Sequence, residues 1–134
     1  MNEYKFEEEE TWKLARELAW DVYSITSRGA FEKDYLMRNS VRRASFAIMA
    51  NVAEGVEKGG TAEFIRHLTQ AKDEVGELRQ QLEMAQASGF ISSAAQARLE
   101  MMLTSLGCMI SALMTSLNQE FVGIDSVSVN YQGN

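Results

Sequence analysis

The 134-residue sequence has no proline, one cysteine and one histidine. Proline removes a backbone donor and clashes with the preceding helical turn, so its absence leaves long segments free to remain helical. The single cysteine, Cys108, excludes an intramolecular disulfide. The single histidine, His67, excludes most zinc sites, which need several Cys and His ligands. We therefore expect stability to come from the packing of helices.

The N-terminus also lacks the features of a secretory signal. It begins with polar residues and runs into Glu7–Glu10, where a signal peptide would have a basic region and then an apolar one. No run of residues approaches the roughly 18 apolar residues that span a bilayer. The sequence thus predicts a cytoplasmic protein with no membrane partner.

The formal net charge is −6, with four of the negative charges in the run Glu7–Glu10. A protein that coats nucleic acid needs a basic surface, which this balance disfavours for the chain as a whole. Because the negative charge is concentrated at one end, a local basic patch is compatible with the sequence.

Four amphipathic segments follow one another without strand-like alternation. The third has apolar residues in steps of four and three, and the fourth repeats this spacing. The predicted fold is an all-α, antiparallel, up-down-up-down four-helix bundle in a single domain, residues 1–120. The helices are predicted at roughly 8–28, 34–57, 61–88 and 93–119, with a loose tail at 121–134. Gly29 is expected to end the first helix, and Gly89 with Phe90 the third.

Residues able to carry out catalysis are scarce. A di-iron bundle site needs a Glu-x-x-His pair on each of two helices, whereas Glu63 and His67 are four residues apart. Methionines at bundle spacing are typical core filler, which favours packing over haem ligation by His67 and a methionine. Cys108 has no histidine near it in sequence to activate it as a nucleophile. We expect no enzyme activity, no cofactor and no metal.

A second apolar face sets the first two segments apart. At about 100° per residue, several large side chains of the second segment lie opposite its core stripe. Trp20 points away from the core stripe of the first segment, with Trp12 and Tyr23 at its margin. Apolar patches of this kind mark interfaces, which predicts an oligomer interface formed by Trp20, Tyr35, Phe46, Met49 and Ala53. The alternative is that the second segment is covered by the chain's own tail.

Basic residues of the same region support a different hypothesis. The candidate nucleic-acid contacts are Arg38, Arg42, Arg43, Lys58 and Arg66. The alternative is that these side chains pair with Glu54, Glu57 or carboxylates of a neighbouring helix. Three further residues are interpreted as a structural motif: Asn51, Glu54 and Gly55. Asn51 at a core position would fix helix register by hydrogen bonding, and Gly55 would let another backbone approach closely.

The segment from Arg42 to Gly55, RRASFAIMANVAEG, resembles the signature of the ribosomal-RNA intervening-sequence proteins, also called the four-helix-bundle protein family. The runs WKLARELA from Trp12 and EFIRHL from Glu63 are similar too, and the resemblance covers roughly residues 6–118. Members often have proline where this chain has Met49.

The resemblance implies an antiparallel bundle in the bacterial cytoplasm and related proteins that form rings of five, a pentamer. It implies no catalytic residues. A relative, the accessory protein of diversity-generating retroelements, binds a reverse transcriptase and nucleic acid through basic surfaces, whereas this chain is acidic. The favoured prediction is a non-enzymatic, self-associating assembly or adaptor protein. The alternative is a nucleic-acid-binding accessory subunit of a ribonucleoprotein or retroelement reverse transcriptase.

Overall fold

The computed structural model describes residues 5–58 and 60–132, with side chains described for 5–55 and 60–120. Every regular element in these residues is a helix, which confirms the all-α class. The helices are α1 Lys5–Thr26, α2 Gly29–Lys33, α3 Tyr35–Lys58, α4 Thr61–Ala87 and α5 Ser93–Gln132. The four long helices α1, α3, α4 and α5 correspond to the four segments predicted from the sequence.

The short helix α2 is absent from the sequence prediction, which has Gly29 ending the first helix. In the structure α1 ends at Thr26, and Gly29 begins α2 with a φ of 65°. Glycine adopts this left-handed conformation without steric cost, so the chain turns here and forms one further helical turn. That turn places Phe31 in the core with no exposed surface.

Phe31 packs against Phe90, which follows the end of α4. Gly89 has a φ of 82°, and the Phe90 amide donates to the Ala85 carbonyl at 2.8 Å. This is the Schellman-type stop expected at Gly89. It places the Phe90 ring 5.5 Å from the Phe31 ring, centroid to centroid. Helix α2 and the segment that follows α4 thus meet at one end of the core through the Phe31–Phe90 pair.

The sequence prediction of a loose tail covers residues 121–134. The backbone of α5 continues to Gln132, and residues 133 and 134 lie outside the described residues. Apolar periodicity is lost after Phe121. The backbone remains helical because propagation adds one hydrogen bond per residue and no proline interrupts it.

The predicted core stripes are buried in the structure. The core residues of α4 are Phe64, Leu68, Ala71, Val75, Leu78, Leu82 and Ala85, and those of α5 are Leu99, Leu103, Leu106, Ile110, Leu113 and Leu117. From α1 come Ala15, Leu18, Val22 and Ile25, and from α3 Val41, Ala44, Ile48 and Val52. A fully buried leucine or isoleucine contributes about 1.5–3 kcal/mol relative to an exposed one.

Each long helix packs against two others. Helix α1 contacts α3 and α5, and α4 also contacts α3 and α5, while α2 sits against α1 and α3. Ion pairs lie at the edges of these contacts, such as Arg79 with Glu100 at 2.7 Å. The described side chains therefore form one continuous core among the four long helices.

Helix α5 meets one membrane criterion that the sequence prediction did not anticipate. The stretch Ser93–Glu120 is long and apolar enough to cross a bilayer by length and composition alone. The core helix of a folded domain passes the same test, and the leucine stripe of α5 is buried against α1 and α4. A single such helix is weak support for membrane insertion.

Candidate subunit interface

A groove runs along the outside of the molecule where α1 lies beside α3. Its lining residues are Trp12, Arg16, Ala19, Trp20, Tyr23, Phe46 and Met49, and its volume is about 590 Å³. We call it the aromatic groove. Helical spacing explains its α1 wall, because positions 12, 16, 19, 20 and 23 share one flank of a helix. The core stripe of α1 lies on a separate face of the helix.

The rings of the aromatic groove are exposed to an unusual degree for large apolar side chains. Trp20 is 68% exposed, Tyr23 45% and Phe46 44%. Trp12 and Met49 are half-buried and pack against the core at the base of the groove. An isolated exposed aromatic is ordinary, but several gathered in one concave surface mark an interaction site.

The structure brings three of the five predicted interface residues together. Trp20, Phe46 and Met49 line the aromatic groove, whereas Tyr35 and Ala53 are absent from its lining. Tyr35 is 67% exposed at the start of α3, and Ala53 is half-buried towards its other end. All these α3 residues share one helix face, but only the central ones lie beside the α1 aromatics.

Arg16 and Ala19 are groove residues that the sequence prediction missed. Both lie within one turn of Trp12 or Trp20, so helical spacing from the two tryptophans could have identified them. Arg16 is exposed, and its guanidinium carbon lies 4.8 Å from the Trp12 ring centroid. It is the charged member of the described lining. The groove is therefore apolar with one positive group at its surface.

Arg42 holds the end of the aromatic groove in place. Its Nε donates to Thr26 Oγ1 at 2.7 Å and its Nη2 donates to Ser27 Oγ at 2.9 Å. Its guanidinium carbon lies 4.0 Å from the Tyr23 ring centroid, a cation–π distance. These contacts join the C-terminal end of α1 to α3, so Arg42, one of the candidate nucleic-acid contacts, has a structural role in the chain itself.

The other candidate nucleic-acid contacts also have partners within the chain where they are described. Arg38 donates to the Glu32 carbonyl at 2.9 Å. Arg66 pairs with Glu63, and Lys58 lies outside the residues whose side chains are described. The partner of Arg38 is a backbone carbonyl and that of Arg66 is a carboxylate of its own helix, so neither is Glu54, Glu57 or a carboxylate of a neighbouring helix.

Arg43 forms the most extensive of these pairs. It bridges Glu74 at 3.3 Å and Glu77 at 2.9 Å, both on α4. The hydrogen bond to Glu74, with the charge of that carboxylate, raises the pKa of Arg43 above its ordinary value. The guanidinium is thus charged and internally paired, although its side chain is 54% exposed.

The predicted structural motif lies at the other end of the α3–α4 contact. The Asn51 amide donates to the Ala47 carbonyl at 2.9 Å, which leaves its Oδ1 as the acceptor for His67 Nδ1 at 3.0 Å. Glu54 Oε2 lies 3.7 Å from the same His67 nitrogen. His67 is 8% exposed, so it is a buried partner of Asn51.

Gly55 allows a close approach, but the approaching group is a side chain. A Cβ atom added at Gly55 would lie 2.4 Å from Phe64 Cδ1 and 3.4 Å from His67 Cβ. Real Cβ atoms are not found this close to a neighbour, so the Phe64 ring occupies the space that the missing side chain leaves. Asn51 and Gly55 thus fix the same α3–α4 contact by hydrogen bonding and by packing.

Side chains able to bind a metal are dispersed in the described part of the chain. No cluster of three or more His, Cys, Asp or Glu side chains there could hold a metal ion. Cys108 is exposed on α5.

A second groove lies on the other flank of α1, beside α5. Its lining residues are Phe6, Glu7, Glu10, Thr11, Met109, Ala112, Leu113 and Ser116, and its volume is about 310 Å³. We call it the acidic groove. Phe6, one of these lining residues, is 71% exposed. Glu10 is 3.5 Å from Lys13, and Glu7 has no ion-pair partner among the described residues.

Comparisons with known proteins agree with the resemblance seen in the sequence. A family model described as 23S rRNA-intervening sequence protein matches residues 7–112. A crystal structure of a protein of unknown function, from the S23 ribosomal protein family of Bacteroides thetaiotaomicron VPI-5482, is similar in fold. It has a TM-score of 0.74 and 19% sequence identity, covering 81% of this chain and 98% of that chain. No curated protein matches the chain.

Proposed function

Since the chain belongs to the 23S rRNA-intervening sequence protein family, we propose that it is a non-enzymatic, self-associating helical bundle that serves as an assembly or adaptor protein. The aromatic groove is the surface through which copies associate. The observation that carries this proposal is the gathering of Trp20, Tyr23 and Phe46, each at least 44% exposed, in one apolar groove.

The proposal takes the four long helices as the predicted antiparallel, up-down-up-down bundle. The order of contacts between α3 and α4 supports this arrangement. Ser40, near the start of α3, accepts a hydrogen bond from Gln81, and Asn51, further along α3, contacts His67, earlier on α4. Residue numbers therefore rise on one helix as they fall on the other.

Self-association follows from the chemistry of the aromatic groove. Burying apolar surface contributes about 25 cal/mol per Å², and aromatic side chains provide much of the binding energy of protein interfaces. Trp, Tyr, Phe, Met and Arg are the residue types enriched at such interfaces, and all five line this groove. The groove residues have fixed positions because Trp12 and Met49 pack on the core.

Phe46→Glu tests the proposal. In a separate chain this side chain is 44% exposed, so a carboxylate there would remain hydrated and the fold would be retained. In an assembly the same carboxylate would be desolvated without a partner, which is strongly unfavourable. We expect light scattering at micromolar concentration to show an assembly for the wild type and a single chain for the variant.

Met84→Glu is the matched control, because Met84 is 60% exposed on α4 and lies outside both grooves. It should leave the assembly unchanged. A wild-type mass of a single chain by light scattering would contradict the proposal. An assembly that persists in the Phe46→Glu variant would contradict it as well.

The proposal places the protein in the cytoplasm, with a second copy of itself as the partner. The alternative, a nucleic-acid-binding accessory subunit, has weaker support. The described candidates Arg38, Arg42, Arg43 and Arg66 have contacts within the chain, and the net charge is −6. A partner of high negative charge would have to compete with those contacts.

A further inference from the structure

A further groove lies on the surface between α4 and α5. Its lining residues are Ile65, Lys72, Ser111, Met114, Thr115 and Asn118, and its volume is about 290 Å³. We call it the lysine groove. It shares no lining residue with the aromatic groove or the acidic groove, so it is a surface separate from the proposed subunit interface.

Helical spacing accounts for the charge of the lysine groove. Positions 62, 65, 69, 72 and 76 share one flank of α4, and they are Ala, Ile, Thr, Lys and Gly. Helix α5 has no charged residue from position 101 to position 119. The described lining therefore contains one positive charge, that of Lys72, and no carboxylate.

The base of the lysine groove is apolar and fixed in position. Ile65 and Met114 are half-buried and pack against the core. Lys72, Thr115 and Asn118 are exposed above this base. An apolar base with a few polar groups around it is typical of sites that bind small molecules.

The ammonium group of Lys72 has no ion pair among the described residues. The other basic residues of α4 and α5 each pair with a carboxylate: Arg66 with Glu63, Arg79 with Glu100, and Arg98 with Asp21. The positive charge of Lys72 is thus available to a ligand, whereas the three arginine charges are compensated within the chain.

The polar side chains of the α5 wall are also without partners in the described part of the chain. Thr69 on α4 donates to the Ile65 carbonyl at 2.8 Å, a common contact for a threonine within a helix. Ser111, Thr115 and Asn118 form no such hydrogen bond there. Two hydroxyl groups and one amide can therefore donate to a group that lies beside Lys72.

We propose that the lysine groove binds a small organic monocarboxylate. The carboxylate accepts hydrogen bonds from the Lys72 ammonium and from the donors of α5, and hydrogen bonds between charged groups are the strong ones. The short aliphatic part of the ligand packs on Ile65 and Met114. A doubly charged phosphate would carry a second negative charge that no cation of the described lining neutralises.

The size of the groove limits the ligand to a small acid. A volume of about 290 Å³ is at the lower end of the range for ligand pockets. This site goes beyond the proposed function, which assigns no ligand to the protein.

Butyrate is the probe, and butyramide, its uncharged amide, is the matched control ligand. Methyl NMR of the whole protein follows Ile65 and Met114, with Met101, 72% exposed elsewhere on α5, as the reference. We expect butyrate to shift both groove signals with a millimolar dissociation constant, since an exposed charge pair contributes little. Butyramide should bind at least about tenfold more weakly, because it lacks the charge that Lys72 recognises.

Substitutions in the lysine groove should weaken butyrate binding in a graded way. Lys72→Gln should raise the dissociation constant about tenfold, and Thr115→Val, which removes one hydroxyl at constant shape, about threefold. Lys33→Gln is the matched control, because it removes the same charge from an exposed position of α2 outside the groove. All three positions are exposed, so the variants should keep the helical content of the wild type by circular dichroism.

Three results would overturn the proposal. One is an equal shift of the groove signals by butyrate and butyramide, which would show apolar contact without recognition of charge. Another is a Lys72→Gln variant that binds butyrate as tightly as the wild type does. Tighter binding of inorganic phosphate than of butyrate would exclude a monocarboxylate as the ligand.

The mass of the protein separates this site from the proposed function. Lys72→Gln should give the same mass by light scattering as the wild type, because Lys72 lines neither of the other grooves. Loss of butyrate binding at an unchanged mass supports the site. A Lys72→Gln variant that binds no butyrate and also loses the assembly would contradict a ligand site separate from the subunit interface.

Discussion

Replacing Gly55 with alanine tests how much the close contact between α3 and α4 contributes to the stability of the fold. An added Cβ would lie 2.4 Å from Phe64 Cδ1 and 2.9 Å from Phe64 Cε1, so the ring must move. Phe64 is only 5% exposed, and its movement would disturb the core around it. Gly76 on α4 is the matched control, because nothing lies within 4 Å of its added Cβ.

The two substitutions share one energetic term and differ in another. Glycine in a helix is about 0.8–1.0 kcal/mol less favourable than alanine, so Gly76→Ala should stabilise the protein by about that amount. At Gly55 the same gain is opposed by overpacking, which costs about 1–3 kcal/mol. We expect Gly55→Ala to lower the free energy of unfolding by about 0–2 kcal/mol, which places it about 1–3 kcal/mol below Gly76→Ala.

The assay is urea unfolding followed by circular dichroism at one protein concentration, because association would shift apparent stability. Phe64→Leu in the Gly55→Ala background should recover part of the loss by making room for the new methyl group. A Gly55→Ala variant as stable as Gly76→Ala would refute the close packing at this contact.

Three further substitutions test other contacts by the same unfolding assay. Asn51→Ala should cost about 1–3 kcal/mol by leaving the buried His67 without its acceptor, and a double-mutant cycle with His67→Ala should show coupling. Arg42→Lys should cost about 1–2 kcal/mol because lysine cannot reproduce its forked hydrogen bonds, while Arg66→Lys at an exposed pair should change stability by less than about 0.5 kcal/mol. Phe31→Ala should cost about 3–5 kcal/mol, and a smaller loss would contradict its place in the core.

The sequence predicted the core well because burial in long helices repeats every 3.6 residues. The stripes from Phe64 to Ala85 and from Leu99 to Leu117 have this period, and the structure buries them. The burial of Phe31 was not predicted, because the five-residue helix α2 has too few turns to show a hydrophobic period. The Gln132 end of α5 has a helical backbone without an apolar stripe, so hydrophobic periodicity gives no signal for a helix there.

The candidate interface was predictable only in part. A helix wheel shows that Trp20 and Phe46 point away from the core, but not where along the helix axes they meet. Phe46 lies beside the α1 aromatics, whereas Tyr35, on the same face of α3, is too far along the helix to line the groove. The acidic groove was not predicted, because it depends on which flank of α5 lies beside α1.

The mass of the wild-type protein in solution tests the central claim most directly. Sedimentation equilibrium over a range of micromolar concentrations should give a mass at least twice that of the 15.0 kDa chain. The Trp20→Glu variant should give the mass of one chain under the same conditions. A wild-type mass of 15.0 kDa at every concentration would contradict self-association through the aromatic groove.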